Sequence, residues 1–219
     1  MQHDYRYVTR REANVVKNEL MQILNRVQNI VRPKFTFKYW FIGSSLRNMI
    51  TYDANGNQGY DFDINVEPHY DDRKYNPGEI KRTLRLAFDQ VVGYFGYSPC
   101  EDSTRVLTFK FKDTENSRVL HSCDVAIVND YEDEEGNPRQ EYIHFNKQQR
   151  SYYWAAQPRG YYGLEEKYQW IKKTDVSVPW KSVIFIRKIL TQIRISAHAH
   201  CLWRQLTKSV YRMDTEDDN

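Results

Sequence analysis

The sequence predicts an α+β fold in which a mixed or antiparallel β-sheet is flanked by helices and followed by a small C-terminal helical annex. Three patterns carry that reading. Apolar and polar residues alternate over residues 60–66, 105–112 and 118–128, the period of strands that bury one face, and residues 35–42 are rich in the aromatic residues that favour strands. Apolar residues recur at three- and four-residue steps over 9–31 and 76–95, the period of helices with a buried stripe. From Gly163 onward the helical period takes over, broken only near residues 175–179.

In chain order, Thr9 caps a helix that runs to about Val31, with Val16, Leu20, Leu24, Val27 and Val31 on its apolar side. Pro33 stops it, and Phe35-Thr-Phe-Lys-Tyr-Trp-Phe-Ile42 reads as a strand that runs into a Gly43-Ser44-Ser45 turn and a short helix through Met49. Asp53-Ala-Asn-Gly-Asn-Gln-Gly59 is a turn-rich loop; it lacks the distal Glu and flanking helix that a calcium loop requires. Tyr60-Asp-Phe-Asp-Ile-Asn-Val66 follows as an acidic strand. Asn76-Pro77 opens a second helix to about Phe95, its buried side formed by Ile80, Leu84, Ala87, Phe88, Val91 and Val92, with Gly93 and Gly96 ending it. Residues 105–112 and 118–128 pair as a hairpin around a turn at 113–117. Residues 130–138 form an acidic loop, after which Gln140 to Phe145 returns as an edge strand. The expected division is a main domain over 1–150, a helical annex over 151–212 with helices at 164–172 and 180–207, and an acidic frayed tail over 213–219.

The chain's 219 residues suffice for one sizeable α/β domain with an annex, and 15% aromatic content excludes a disordered chain. Net charge is only +3, yet residues 160–212 hold 10 Lys or Arg against 3 Asp or Glu, a bias that favours phosphate-bearing partners. Cys100, Cys123 and Cys201 show no CxxC spacing and read as buried thiols. No apolar run approaches the ~20 residues of a membrane span and the first residues lack a signal-peptide core, so the expected location is cytoplasmic, without a membrane partner.

The chemistry concentrates on the acidic strand. Alternation puts Asp61, Asp63 and Asn65 on one face, and Phe62, Ile64 and Val66 on the other. Two carboxylates about 7 Å apart along a strand, at ~3.3 Å per residue, repel unless a cation or proton lies between them. Magnesium suits an all-oxygen donor set, and manganese is its alternative. A third acid, Asp124, alternates with Cys123 on a later strand. Gly43 lets the main chain approach a phosphate closely, while Ser44 and Ser45 offer amide and hydroxyl donors. Arg47, one turn further on, either contacts a nucleotide's triphosphate or pairs with a surface acid.

Phe41-Ile-Gly-Ser-Ser-Leu-Arg47, Asp61-Phe-Asp63 and Ser122-Cys-Asp-Val125, in this order and context, resemble the nucleotidyltransferase superfamily of DNA polymerase beta, kanamycin nucleotidyltransferase and the CCA-adding enzymes. The resemblance covers roughly residues 38–128, with a longer connection before Asp61 than many members have. It implies a nucleotidyltransferase-type sheet and transfer of NMP from an NTP to an acceptor hydroxyl with release of pyrophosphate. It also implies two magnesium ions at Asp61 and Asp63, with the third acid Asp124 touching the metal that activates the attacking group; the phosphate contacts read at Gly43, Ser44 and Ser45 suit the same donor. Whether Asp124 is base or ligand stays open, as do base preference, oligomeric state and acceptor: a small molecule, an RNA end or a protein hydroxyl.

Elsewhere the sequence offers weaker signals. Arg150, Tyr152, Tyr153, Trp154 and Arg159 either line a nucleotide or acceptor cleft or pack between the two parts. Lys167 and Lys181 are phosphate contacts by analogy only. His198 and His200 lie about 200° apart on a helix and do not share a metal. The rival to an enzyme is a non-catalytic nucleic-acid-binding module on a degenerate version of the same fold, using Arg187, Lys188, Arg194 and Arg204; these do not form one helical stripe.

Overall fold

The computed structural model describes residues 4–46 and 49–158. In chain order these form β1 (Tyr5–Tyr7), α1 (Arg10–Val31), β2 (Thr36–Ile42), α2 (Gly43–Leu46), β3 (Thr51–Asp53), β4 (Tyr60–His69) and α3 (Pro77–Val92). A single 3-10 turn (Gly93–Phe95) then leads to β5 (Glu101–Asp102), β6 (Val106–Asp113), β7 (Arg118–Glu132), β8 (Pro138–Asn146) and β9 (Ser151–Ala156). The mixed α+β architecture matches the sequence expectation.

Both long helices begin with reciprocal caps. Glu12 N–H donates to Thr9 Oγ1 at 3.2 Å while Thr9 N–H donates to the Glu12 carboxylate at 2.9 Å. Asn76 and Glu79 repeat the arrangement at 3.0 and 2.9 Å, with Pro77 as the first helical residue. Their apolar stripes, Leu20, Ile23, Leu24 and Val27 on α1 and Ile80, Leu84 and Phe88 on α3, are fully buried.

The main sheet runs β2-β4-β7-β6-β5. The β4–β7 pair is parallel, because the chain crosses over through α3 between them, and the other neighbours are antiparallel. Phe62, Ile64 and Val66 of β4, Cys123, Val125 and Ile127 of β7, and Leu107 and Phe109 of β6 form one core with the two helices. Burial of each large side chain such as Phe62, Phe88 or Phe109 contributes about 1.5–3 kcal/mol. The alternation that sends these residues inward sends Asp61, Asp63 and Asp124 to the opposite face.

Several boundaries differ from the sequence reading. The loop expected over residues 130–138 is the end of a second hairpin: β7 continues to Glu132 and β8 starts at Pro138, with Asp133 accepting the Asn137 and Glu135 amides in a tight turn. The segment expected as an edge strand is interior, since β8 pairs with β7 on one side and β9 on the other. Ser151–Ala156 thus extends the sheet past residue 150, and Met1–Glu165 cluster as one compact unit. The short pairing of β1 with β3, and the two-residue β5, have no counterpart in the sequence pattern, because such strands carry too little periodicity to register. Cys100 and Cys123 are buried thiols, as expected. No described helix is long and apolar enough to cross a membrane. Beyond residue 158 the annex, its basic residues, Cys201, His198, His200 and the acidic tail lie outside the described residues.

Candidate active site

Strand register builds the site. In the parallel pair, Asp63 lies directly across from Asp124 and Asp61 directly across from Ser122. Adjacent strands are about 4.8 Å apart, so the three acids occupy one small patch of the face turned away from α1 and α3. Asp61 is exposed, and Asp63 and Asp124 are half-buried.

β2 completes the patch. Its last residue, Ile42, pairs with Asp63, and the chain then turns at Gly43 with φ +65°. A Cβ built on Gly43 would lie 2.5 Å from Asp63 Oδ2, so the glycine opens the space that the carboxylate occupies and adopts a backbone region that side chains disfavour.

Two hydroxyls hold the outer acids. Thr108 on β6, directly across from Asp124, donates to Asp124 Oδ1 at 2.5 Å, and Ser122 Oγ donates to Asp61 Oδ1. Burial pushes the Asp124 carboxyl above its ordinary range; the Thr108 hydrogen bond opposes that shift and the negative charge of Asp61 adds to it.

Asp61, Asp63 and Asp124 offer only hard oxygens, bear like charge and border a cradle that exists because position 43 has no Cβ. The donor chemistry fits magnesium. Among the described residues no three His, Cys, Asp or Glu side chains converge tightly enough to hold an ion by themselves. The register brings the three acids to one patch; it does not close them into a finished coordination shell.

The Gly-Ser turn is anchored from behind. Ser45 is 1% exposed and donates its hydroxyl to the Ile42 carbonyl at 3.0 Å, while Lys17 Nζ on α1 donates to the Ser45 carbonyl at 2.6 Å. Ser45 therefore fixes the turn, and Ser44 is the half-buried serine of the pair. Arg47 lies outside the described residues.

The aromatic stretch after Lys147 divides by parity. Tyr152 and Trp154 pack against the core, and Tyr152 donates its hydroxyl to Asp102 at 2.6 Å, whereas Tyr153 is exposed and stacks on His144 at 4.9 Å. Asp53, the proposed start of a calcium-like loop, accepts the Asp4 and Asn55 amides, the contacts of an ordinary turn. Two surface cavities of about 380 and 440 Å³ lie beside the β6–β7 turn and the loop after β3, and neither is lined by the three acids. Sequence reasoning missed Lys17, Thr108 and the role of Ser122. Only strand register identifies the last two, and a sequence pattern does not fix register between distant strands.

No family model matches the chain, and no curated protein does. Solved structures do. The apo form of Vibrio cholerae DncV superposes with a TM-score of 0.58 at 12% identity, over 83% of this chain and 61% of that one. DncV cyclic AMP-GMP synthase in complex with nonhydrolyzable GTP gives 0.56 at 11% identity over the same shares, and the 3'-deoxy ATP bound form gives 0.55 at 12% over 75% and 56%. The chain spans less than two thirds of the length of these proteins. At such identity the likeness speaks for architecture alone: this chain shares the fold of these DncV structures.

Proposed function

We propose that this chain is a magnesium-dependent nucleotidyltransferase that moves NMP from an NTP to an acceptor hydroxyl. The observation that carries the reading is the patch itself: Asp63 and Asp124 directly across from each other, Asp61 two residues away, and Gly43 giving room to Asp63. Two of the similar structures are described as bound to nonhydrolyzable GTP and 3'-deoxy ATP, which supports an NTP as the donor.

Asp61, Asp63 and Asp124 would hold magnesium or manganese, which when bound neutralises charge on the α-phosphate and on the departing pyrophosphate. The turn at Gly43, Ser44 and Ser45 positions the triphosphate through main-chain donors and the Ser44 hydroxyl, with Arg47 as a further cation for its phosphates. Asp124, across from Asp63, receives or orients the proton of the acceptor hydroxyl. The acceptor oxygen forms a bond to the α-phosphorus, the bond to the bridging oxygen of the β-phosphate breaks, and pyrophosphate leaves. The basic residues that follow residue 158 in the sequence serve in this reading as further contacts for phosphate-bearing ligands.

The test is pyrophosphate release. With magnesium and an NTP the wild type should release pyrophosphate when acceptor is present, and Asp61→Ala with Asp63→Ala should abolish release while leaving the fold intact by circular dichroism. Release that persists in the double variant contradicts the assignment. The acceptor class is read from salt: binding of a nucleic-acid acceptor should weaken steeply as salt rises, and binding of a small neutral acceptor should stay nearly constant.

A further inference from the structure

We propose that Thr108 and Ser122 are positioning residues that aim Asp124 and Asp61 into the metal cradle. This rests on the nucleotidyl-transfer reading. Both contacts follow from register: Thr108 is the antiparallel partner of Asp124, and Ser122 is the parallel partner of Asp61. Each hydroxyl has one proton and gives it to a single carboxylate oxygen, Oδ1, so Oδ2 of each acid stays outside the bond. A carboxylate held by one oxygen keeps one rotamer and presents the other oxygen in a fixed direction.

The arrangement is asymmetric across the patch. Asp61 is fixed from β7, Asp124 from β6, and Asp63 between them lies against Gly43, so each acid has its own neighbouring support from a different strand or turn. Ser122 is 8% exposed, and burial limits the other directions its hydroxyl can take. Neither hydroxyl needs to touch nucleotide or metal. Their effect is that two like-charged carboxylates are already aimed when a cation arrives, so less conformational freedom is lost on binding. Outer partners of metal ligands typically change metal affinity by about 10–100-fold when removed.

The experiment uses the full chain and Mn2+ alone, counting free ion by electron paramagnetic resonance, with melting curves in chelator to show that each variant is folded. The comparison is wild type, Thr108→Val, Thr108→Ser, Ser122→Ala and Asp124→Asn. Thr108→Val keeps the shape and loses the proton, and should weaken Mn2+ by about tenfold or more. Thr108→Ser keeps the proton and should bind Mn2+ within about twofold of wild type, on the same scale. Ser122→Ala should weaken binding as an independent reading of the second contact. Wild-type affinity in both Thr108→Val and Ser122→Ala, or equal weakening in Thr108→Val and Thr108→Ser, overturns the positioning role while leaving the nucleotidyl-transfer reading in place. A wild type that binds no more Mn2+ than Asp124→Asn overturns the cradle and, with it, this inference.

Discussion

At the scale of single residues, Gly43, Asp124 and His121 make the sharpest demands. Replacing Gly43 by Ala puts a methyl carbon 2.5 Å from Asp63 Oδ2 and a side chain at φ +65°. Gly43→Ala should fold with a loss of about 1–3 kcal/mol and lose on the order of 100-fold in turnover, because Asp63 is displaced by a substantial fraction of an ångström. The readouts are urea denaturation and kcat. Asp124 ionises against burial and against Asp61, so the folded state holds its proton more tightly than the unfolded chain does. Its charged form therefore costs stability above the ordinary carboxylate value of 3.8, and nothing well below it, where both states are protonated. In chelator, Asp124→Asn should melt above wild type at neutral pH, with the difference vanishing below pH 3.8. His121 behaves in the opposite sense. Enclosed by Tyr60, Tyr97 and Phe111, and hydrogen-bonded to the Tyr97 hydroxyl at 2.9 Å, it is held neutral by burial, its pKa lowered from 6.5 to about 4. Stability is full above pH 6.5 and falls as the unfolded chain takes up the proton between 6.5 and 4. The loss should be on the order of 3 kcal/mol at ~1.36 kcal/mol per pH unit, and His121→Gln should remove that dependence in denaturation measured across the range.

At the scale of elements, α3, β5 and β9 are joined by one buried charge network. Lys81 is 1% exposed, sits 2.8 Å from Asp102 Oδ1 and donates to the Ser103 carbonyl at 2.9 Å, while Tyr152 donates to the other oxygen of Asp102. Burial lowers the Lys81 pKa and the Asp102 hydrogen bond resists that shift. Asp102→Ala leaves a buried ammonium without its counter-charge and should cost about 3–5 kcal/mol, whereas Lys81→Met with Asp102→Leu should recover most of it, as urea denaturation would record. This network also shows where the sequence stops being legible. The stripes of α1 and α3, the Thr9 and Asn76 caps, the hairpin of β6 with β7 and the alternation of β4 were all readable because each is a local pattern. The Lys81–Asp102–Tyr152 contact spans three elements separated by 71 positions, and nothing in the spacing of those residues reveals it. For the same reason β9 was assigned to a region between domains: Tyr152 and Trp154 announce a half-buried strand only once β8 is known to lie beside them.

At the scale of the whole molecule, the parallel β4–β7 pair turns a sequence pattern into a chemical proposal. The order of turn, acidic strand and third acid was visible in the chain, and the fold it implied is the fold observed. What the order alone could not supply was alignment: a one-residue slip of β7 would carry Asp124 to the core face and Cys123 to the open one. The observed register places Asp124 across from Asp63, and it assigns Thr108 and Ser122 to the acids beside them. A sheet whose other face carries the entire core of α1 and α3 cannot slip without burying charge, so the burial of Phe62, Cys123 and Val125 is also what keeps the acids aligned. Phosphate labelling reads directly which bond is made. NTPs labelled at either the α- or the γ-phosphate are incubated with magnesium, a cell extract and either the wild-type chain or Asp63→Asn. With the wild type α-label, and no γ-label, should appear on an acceptor, and neither should appear with the variant; transfer of γ-label by the wild-type chain, or α-label transfer undiminished in Asp63→Asn, would contradict nucleotidyl transfer.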